Sequence, residues 1–126
     1  MPDFIAPQLC EPVTRPPSSQ DWVHEIKLDG YRMQLRVEAG DAVMRTRKGL
    51  DWTDKFCPHA AAGRGLGNCI IDGEVVALAH NGASDFLRVA GGVGRRPLPT
   101  TSSISHSISR SPTARTLRRL PLLQRK

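Results

Sequence analysis

The chain has 126 residues, enough for one small domain, and a formal net charge of +6. All 12 acidic residues lie in residues 1–86 together with nine of the 18 Lys and Arg, so this part carries −3 and residues 87–126 carry +9. The basic balance therefore belongs to the tail, and it does not predict a nucleic-acid surface on the folded part.

The sequence shows no targeting, membrane or zinc signal. Its most apolar run, residues 69–79, contains two acidic residues, which excludes a membrane span. We expect no signal peptide, because an acidic residue stands near the start and no apolar segment follows it. The three cysteines are isolated, which excludes the usual zinc patterns and is typical of a reducing cytoplasm: Cys10, Cys57 and Cys69. We therefore expect a cytoplasmic protein with no membrane partner.

The pattern of apolar residues predicts several short elements in chain order. Residues 1–21 are proline-rich and predict an extended lead-in. Alternation of apolar and polar residues predicts strands at residues 22–29 and 33–37, and two further strands are expected at residues 42–47 and 69–78. The predicted connections are a tight turn at residues 39–41, a short helix capped by Thr53 and running to about residue 62, a loop at residues 63–67 and a turn at residues 80–82. This order predicts an α+β fold with a mainly antiparallel sheet.

The first predicted strand carries the candidate site. Its alternation places Glu25, Lys27 and Asp29 on one face. Gly30 then breaks the strand, and Arg32 returns towards the lysine. An amine between two carboxylates, with an arginine beside it, suits a lysine that handles phosphate. An edge strand whose charges face water has the same spacing, so the residues alone leave both interpretations open.

Three sequence blocks resemble one enzyme family. Residues 24–32, His-Glu-Ile-Lys-Leu-Asp-Gly-Tyr-Arg, resemble the nucleotidyl-lysine motif of ATP-dependent DNA ligases and mRNA capping enzymes. Their longer form is most similar to bacterial end-joining ligases, including the ligase domain of ligase D. Residues 46–53 resemble the family's second block, Arg-Asn-Gly-x-Asp-Trp-Thr, and residues 71–76 resemble its third, Asp-Gly-Glu-Val. With a Pro-x-Leu lead-in at residues 4–9, the resemblance covers residues 1–86 nearly continuously.

The resemblance implies a fold and an activity. Residues 1–86 would be the N-terminal part of an adenylation domain, a partial nucleotidyltransferase fold. In this family a lysine attacks the α-phosphate of ATP and carries AMP as a phosphoramidate. The AMP then passes to a DNA 5′-phosphate, and the nick is sealed. The resemblance thus implies ATP, Mg²⁺, nicked or broken double-stranded DNA, end-joining repair proteins as further partners, and a role in DNA repair and recombination.

The same resemblance implies roles for individual residues. Lys27 is the implied nucleophile, and Glu25 would contact the adenine end of the nucleotide. Arg32 and Arg47 would hold ribose and phosphate, because forked, permanently charged donors suit oxygen acceptors.

Two carboxylates would complete the implied site. Glu74 would bind the ribose hydroxyls or a metal ion, and Asp29 would orient Lys27 or a metal-bound water. Two residues of the second block, Asp51 and Trp52, are expected to be structural, as a loop anchor and a packing residue. Lys48 stands where the family has Asn.

Residues 87–116 lose the pattern of the preceding part, because they contain no acidic residue and a long Ser/Thr-rich run. One interpretation is a disordered basic tail. The other is translation out of frame, since residues 102–109 can be coded so that the neighbouring frame reads Leu-Ile-Tyr-Phe-Ala-Phe-Asp-Leu, which resembles the family's next block. Residues 117–126 resemble the family in frame, as a remnant of the adenylation domain.

The chain departs from the family pattern in ways that affect its ability to fold and to ligate DNA. It lacks the aromatic Phe-Ala-Phe-Asp block, the later Glu-Gly and Lys-x-Lys blocks and the OB-fold domain. We therefore expect that this chain alone does not ligate DNA and that it folds poorly. Two alternatives remain open: a non-catalytic, basic nucleic-acid-binding remnant, and an RNA ligase or capping-type nucleotidyltransferase.

Overall fold

A computed structural model describes residues 1–22, 24 and 26–92 and the backbone of residues 102–110. The elements in chain order are β1 (Tyr31–Glu38), β2 (Asp41–Thr46), a 3₁₀ turn (Asp54–Phe56), α1 (Cys57–Gly63), β3 (Cys69–Ala77), α2 (Phe86–Gly92) and β4 (Ser102–Arg110). The strands form one sheet in the order β2-β1-β3-β4, and every neighbouring pair is antiparallel. The predicted α+β class with an antiparallel sheet is confirmed.

One face of the sheet is apolar and carries the core. On β1, Met33, Leu35 and Val37 alternate onto this face and are at most 3% exposed. Phe56, at the end of the 3₁₀ turn, is fully buried against them. A β-carbon on Gly63 would meet the Leu35 side chain at 2.8 Å, so α1 lies directly on β1. The period-2 pattern in the sequence thus places the core on this face.

The β1–β2 hairpin turns through two residues with positive φ, Ala39 at 52° and Gly40 at 85°. Two consecutive left-handed residues are the geometry of a type I′ turn, whose twist matches antiparallel strands. The Asn68 side-chain oxygen accepts a hydrogen bond from the Ala39 N–H at 2.9 Å, which supports the non-glycine residue there. The predicted tight turn is confirmed.

The other face of the sheet carries the polar residues of β1, and the N-terminal lead-in crosses it. Gln34 is only 4% exposed, and its side chain accepts from the Ile5 N–H at 3.0 Å and donates to the Ile5 carbonyl at 2.7 Å. Arg36 Nε donates to the Pro2 carbonyl at 3.0 Å. The lead-in has no regular secondary structure, as its prolines predict.

The predicted strand at residues 22–29 is wrong. The described residues of this segment have no strand structure, and β1 begins only at Tyr31. Ile26, which the alternation places on the face opposite Lys27, is 88% exposed. Alternation assigns side chains to two faces, but a strand also needs a neighbouring backbone. β3 pairs with β1 from Tyr31 onward and β2 pairs with it from Met33 onward.

The predicted cap at Thr53 is also wrong, although the helix exists. The Thr53 hydroxyl accepts from the Met44 N–H at 3.0 Å and donates to Asp51 Oδ1 at 2.6 Å, so it ties a loop to β2. It makes no capping hydrogen bond, and the segment opens as a 3₁₀ turn before α1 starts at Cys57.

The stretch predicted to be disordered contains two elements. Most of α2 lies in it, with Val89 buried and the Asp85 carboxylate accepting from the Arg88 N–H at 3.2 Å. The backbone of β4 pairs with β3 along its whole length. A strand needs only peptide groups on an open sheet edge, so Ser-rich composition does not prevent it. Residues 93–101 and 111–126 lie outside the described residues, as does the predicted in-frame remnant at residues 117–126.

No helix in the described part of the chain is long and apolar enough to span a bilayer.

Candidate functional site

Lys27 lies in an exposed segment that leads into β1. Its side chain is 87% exposed, and Nζ is 3.5 Å from Asp29 Oδ1 on a side chain that is 65% exposed. Because water screens such a pair, the contact adds little to stability. The two charges nevertheless lie together, although the described residues of this segment do not form the strand that was predicted to carry them.

The segment that carries Lys27 is attached to the sheet at two points. The backbone of Gly30 lies so close to β3 that an added β-carbon would meet the Val75 carbonyl oxygen at 2.1 Å. The Asp29 N–H donates a hydrogen bond to the Ser84 hydroxyl at 3.0 Å. Gly30 is therefore required by close backbone approach, whereas Lys27 itself projects into solvent.

Arg32 is held by a forked ion pair with Asp72. Its Nε donates to one carboxylate oxygen at 2.8 Å and its Nη2 donates to the other at 2.7 Å. The hydrogen bond to Asp72 is the largest cause of the raised pKa of Arg32, and the charges of Asp72 and Glu74 act in the same direction. Both side chains are partly exposed, which leaves the guanidinium edge open to a ligand.

Asp72 was not among the predicted site residues. It stands two residues before Glu74, so both project from the same face of β3. Glu74 is the direct cross-strand partner of Arg32, and Asp72 is its diagonal neighbour. Once β1 and β3 are known to be adjacent, the two-residue spacing of Asp72 and Glu74 is the sequence signal that identifies Asp72 as a partner of Arg32.

Glu74 is half-buried at the centre of the site. Burial raises its pKa, while the charge of Arg32, the Gly30 amide and the charge of Lys27 lower it and Asp29 raises it. The sheet register places Arg32 directly opposite Glu74, and Lys27 lies 3.5 Å from Asp29 in the segment that leads into β1. The structure thus places two pairs of predicted residues at the same end of β1.

Arg47 lies at the same end of the sheet but outside this group. It is exposed in the turn that follows β2, next to Thr46, whose cross-strand partner is Met33 beside Arg32. Glu25 lies outside the described residues, so its predicted contact with adenine stays a prediction.

Two residues of the second block, Asp51 and Trp52, are structural, as predicted. Asp51 accepts from the Thr53 hydroxyl at 2.6 Å and from the Thr53 N–H at 2.9 Å, and these bonds lower the pKa of Asp51. Trp52 packs edge-on against Tyr31 at 5.5 Å between ring centroids and stacks on Phe56 at 6.3 Å. The block therefore supports the core beneath β1.

The charged groups fit a nucleotide substrate by their chemistry. An amine and a guanidinium suit phosphate oxygens, and a carboxylate suits ribose hydroxyls. Within the described residues no group of three or more His, Cys, Asp or Glu side chains lies close enough to hold a metal ion. Mg²⁺ commonly uses one or two carboxylates with substrate phosphates, so Asp29 and Glu74 fit it chemically, and their metal roles stay predictions.

Comparison with known proteins extends the sequence resemblance. A family model described as the ATP dependent DNA ligase domain matches residues 7–109. This match continues beyond residue 86 into the stretch interpreted as out of frame, and the frameshift hypothesis stays a prediction.

Two curated proteins illustrate the similarity. The chain is 46% identical over 89 residues to the multifunctional non-homologous end joining protein LigD of Pseudomonas aeruginosa, a match that covers 68% of the chain and 10% of that protein. It is 30% identical over 83 residues to the SPbeta prophage-derived DNA ligase-like protein LigB of Bacillus subtilis, a match that covers 66% of the chain and 30% of that protein.

Solved structures agree with these matches. The chain superposes on the ligase domain of M. tuberculosis LigD and on mycobacterial DNA ligase D complexed with ATP and MES. Each superposition has a TM-score of 0.57 and 25% identity, and it covers 68% of the chain and 28% of the other chain. The chain therefore spans less than a third of the length of each of these relatives.

Proposed function

The chain belongs to the ATP-dependent DNA ligase family, and from this premise we propose that it carries the nucleophile half of a lysine-adenylation site. The observation that supports the proposal is geometric: Arg32 lies directly opposite Glu74 in the sheet, and the segment that leads into β1 carries Lys27 3.5 Å from Asp29, whose N–H donates to Ser84. Residues distant in the sequence thus converge on the segment that contains the motif lysine.

In the proposed reaction, the Lys27 amine loses a proton and attacks the α-phosphorus of ATP. A P–N bond forms, the bond to the bridging oxygen breaks, and pyrophosphate leaves with that bond's electron pair. An oxygen of a DNA 5′-phosphate then attacks the same phosphorus, so a P–O bond replaces the P–N bond. Attack by the DNA 3′-hydroxyl on the 5′-phosphate closes the nick and releases AMP.

Each charged side chain has a proposed task in this sequence. Arg32, oriented by Asp72, binds a ribose or phosphate oxygen, and Arg47 adds a second cation at the same end of the sheet. Glu74 accepts hydrogen bonds from the ribose hydroxyls, and Asp29 orients the amine of Lys27. Mg²⁺, when bound through Asp29 or Glu74, supplies charge neutralisation for the triphosphate.

Lys27 in this chain is exposed, and an amine nucleophile works best where water is excluded. We therefore propose that the site becomes competent only when further protein covers this face.

The proposed setting is a reducing cytoplasm, where the exposed thiols of Cys10 and Cys57 persist, and the proposed partners are broken DNA and end-joining repair proteins.

The proposal is tested in a hybrid in which residues 1–86 replace the matching segment of the M. tuberculosis LigD ligase domain. The hybrid is incubated with ATP labelled at the α-phosphate and with Mg²⁺, and the labelled peptide is identified by mass spectrometry. We expect one label, on Lys27, and sealing of nicked DNA. The 126-residue chain alone, measured in parallel, is expected to seal no nicks.

Two control variants make the result specific. Lys27→Arg keeps the charge but removes the nucleophile, so it should abolish labelling in the hybrid. Lys55→Arg, in the 3₁₀ turn, should leave labelling unchanged. A folded hybrid that remains unlabelled, or a label that survives Lys27→Arg, would exclude Lys27 as the nucleophile. Labelling by GTP in preference to ATP would favour the capping-type alternative.

A further inference from the structure

The connection between β3 and α2 is a turn closed by its own backbone. The Ala79 N–H donates to the Ala83 carbonyl at 2.8 Å, and the Gly82 N–H donates to the Ala79 carbonyl at 2.9 Å. Leu78 and Ser84 then form an antiparallel bridge across the base of the turn. Ser84 is therefore fixed beside the end of β3, in a short hairpin that the candidate site does not otherwise use.

The chain is anchored again directly after Ser84. The Asp85 N–H donates to the Ala77 carbonyl at 2.8 Å, and the Asp85 carboxylate accepts from the Arg88 N–H at 3.2 Å at the start of α2. Val89 is 1% exposed, so α2 is held in place by burial. The position of Ser84 is thus determined on both sides.

The Ser84 hydroxyl accepts a hydrogen bond from the Asp29 N–H at 3.0 Å, across 55 residues of sequence. Asp29 follows Lys27 by two residues, in a segment without regular secondary structure. A single hydrogen bond at this point limits how far the backbone of the lysine segment can move from β3.

Two neighbouring contacts support the same attachment. Gly30 lies against the Val75 carbonyl oxygen, and the ring of Tyr31 lies 5.3 Å from the ring of Phe86, measured between centroids. Phe86 is the first residue of α2, two residues after Ser84, and Tyr31 is the first residue of β1, two residues after Asp29. The ring contact therefore joins the starts of α2 and β1, next to the Asp29–Ser84 hydrogen bond.

We propose that Ser84 is a positioning residue for the nucleophile: its hydroxyl holds the Asp29 backbone so that the lysine segment stays beside Glu74. This inference rests on the proposed function, because only that function makes Lys27 a nucleophile. The hydrogen bond between Asp29 and Ser84 does not depend on it. Ser84 touches neither nucleotide nor metal in this assignment and acts through the backbone of Asp29.

The test measures amide hydrogen exchange by NMR in the complete 126-residue chain. In Ser84→Ala, the Asp29 amide should exchange roughly fivefold to tenfold faster, the factor that one net hydrogen bond contributes. The amides of Met33 and Leu35 in β1 should keep their wild-type rates. Ser84→Thr retains a hydroxyl and should restore slow exchange, while Ser18→Ala, an exposed serine, should change nothing.

A matched pair covers the case in which Ser84→Ala does not fold. Ser84→Thr and Ser84→Val have nearly the same shape and differ in the hydroxyl, so Asp29 should exchange faster only in the Val variant. Equal Asp29 exchange in this pair, or in wild type and Ser84→Ala, would overturn the proposal. The measurement needs no ATP, so an unlabelled Lys27 in the hybrid would remove the proposed function and leave the exchange result intact.

Discussion

The two faces of the sheet differ in what holds their side chains in place. On the apolar face, Met33, Leu35 and Phe56 are fixed by burial, which is non-directional and depends on volume. On the polar face, Arg32 and Gln34 are fixed by hydrogen bonds of defined direction, to Asp72 and to the backbone of Ile5.

This difference explains where the candidate site lies. Residues of opposite character alternate along β1, so packing on one face fixes the strand that presents directional groups on the other. The segment that carries Lys27 belongs to neither face, and it depends on attachments at Asp29 and Gly30. The following predictions test this division, in decreasing order of expected effect.

The largest effect is expected for Phe56→Ala on the apolar face. The ring is fully buried between α1 and the sheet, so its removal should lower the free energy of unfolding by about 3–5 kcal/mol. Urea denaturation followed by circular dichroism measures this loss. Leu87→Ala, at a side chain that is 81% exposed, is the control and should change stability by less than about 0.5 kcal/mol. Similar losses of stability in Phe56→Ala and Leu87→Ala would contradict the statement that burial fixes the side chains of the apolar face.

Gly30→Ala tests the junction between the faces and the lysine segment. The new β-carbon would lie 2.1 Å from the Val75 carbonyl oxygen, so the backbone must move, at about 1–3 kcal/mol. We expect this loss in urea denaturation, with faster amide exchange at Asp29. Gly67→Ala has no atom within 4 Å of the added carbon and serves as the control. Wild-type stability in Gly30→Ala would refute the close approach.

Asp72→Asn tests the directional bonds of the polar face. It replaces a carboxylate that holds Arg32 with a neutral amide, and we expect a loss of about 1 kcal/mol, because both partners are partly exposed and screened. A double-mutant cycle with Arg32→Gln isolates the coupling between the two side chains. Additive losses in the cycle would show that the pair does not interact in solution.

The smallest effects are expected from pH, and they have opposite signs at two residues. Burial raises the pKa of Glu74 above its usual 4.5, so Glu74 costs stability at neutral pH and this cost disappears as pH falls through its raised pKa towards 4.5. Burial lowers the pKa of His59, whose Nδ1 is buried without a hydrogen-bond partner among the described residues, so stability falls as pH drops below 6.5.

Single variants separate these two contributions. Glu74→Gln should be more stable than wild type at pH 7, by less than about 1 kcal/mol, and the difference should shrink towards pH 4. His59→Gln should lose less stability than wild type between pH 7 and pH 5. Thermal melts at several pH values measure both, and parallel curves for a variant and wild type would exclude its contribution.

Much of the sheet follows from the sequence alone. The alternation in β1 and the Ala39–Gly40 turn are local signals, and local periodicity determines which face each side chain occupies. The same signal failed at residues 22–29, because alternation does not say whether a neighbouring strand exists. It also missed β4, whose pairing with β3 depends on backbone groups rather than on side-chain pattern.

The motif blocks point to Lys27, Arg32 and Glu74, whose roles stay predictions. Asp72 and Ser84 enter the candidate site only through strand register and through a contact across 55 residues. Likewise, Thr53 has the residue type of a helix cap, yet its hydroxyl bonds to Met44 and Asp51 instead. Pairings between distant segments are not encoded in local spacing.

The Gln34 side chain binds only the main chain of Ile5: it accepts from the Ile5 N–H and donates to the Ile5 carbonyl. Almost any side chain at position 5 preserves both bonds, whereas at position 34 glutamate loses the amide donor and leucine loses both groups. For these two hydrogen bonds, tolerance to substitution is therefore the reverse of what hydrophobicity suggests: they do not depend on the partly buried apolar side chain at position 5, and they constrain the polar one at position 34.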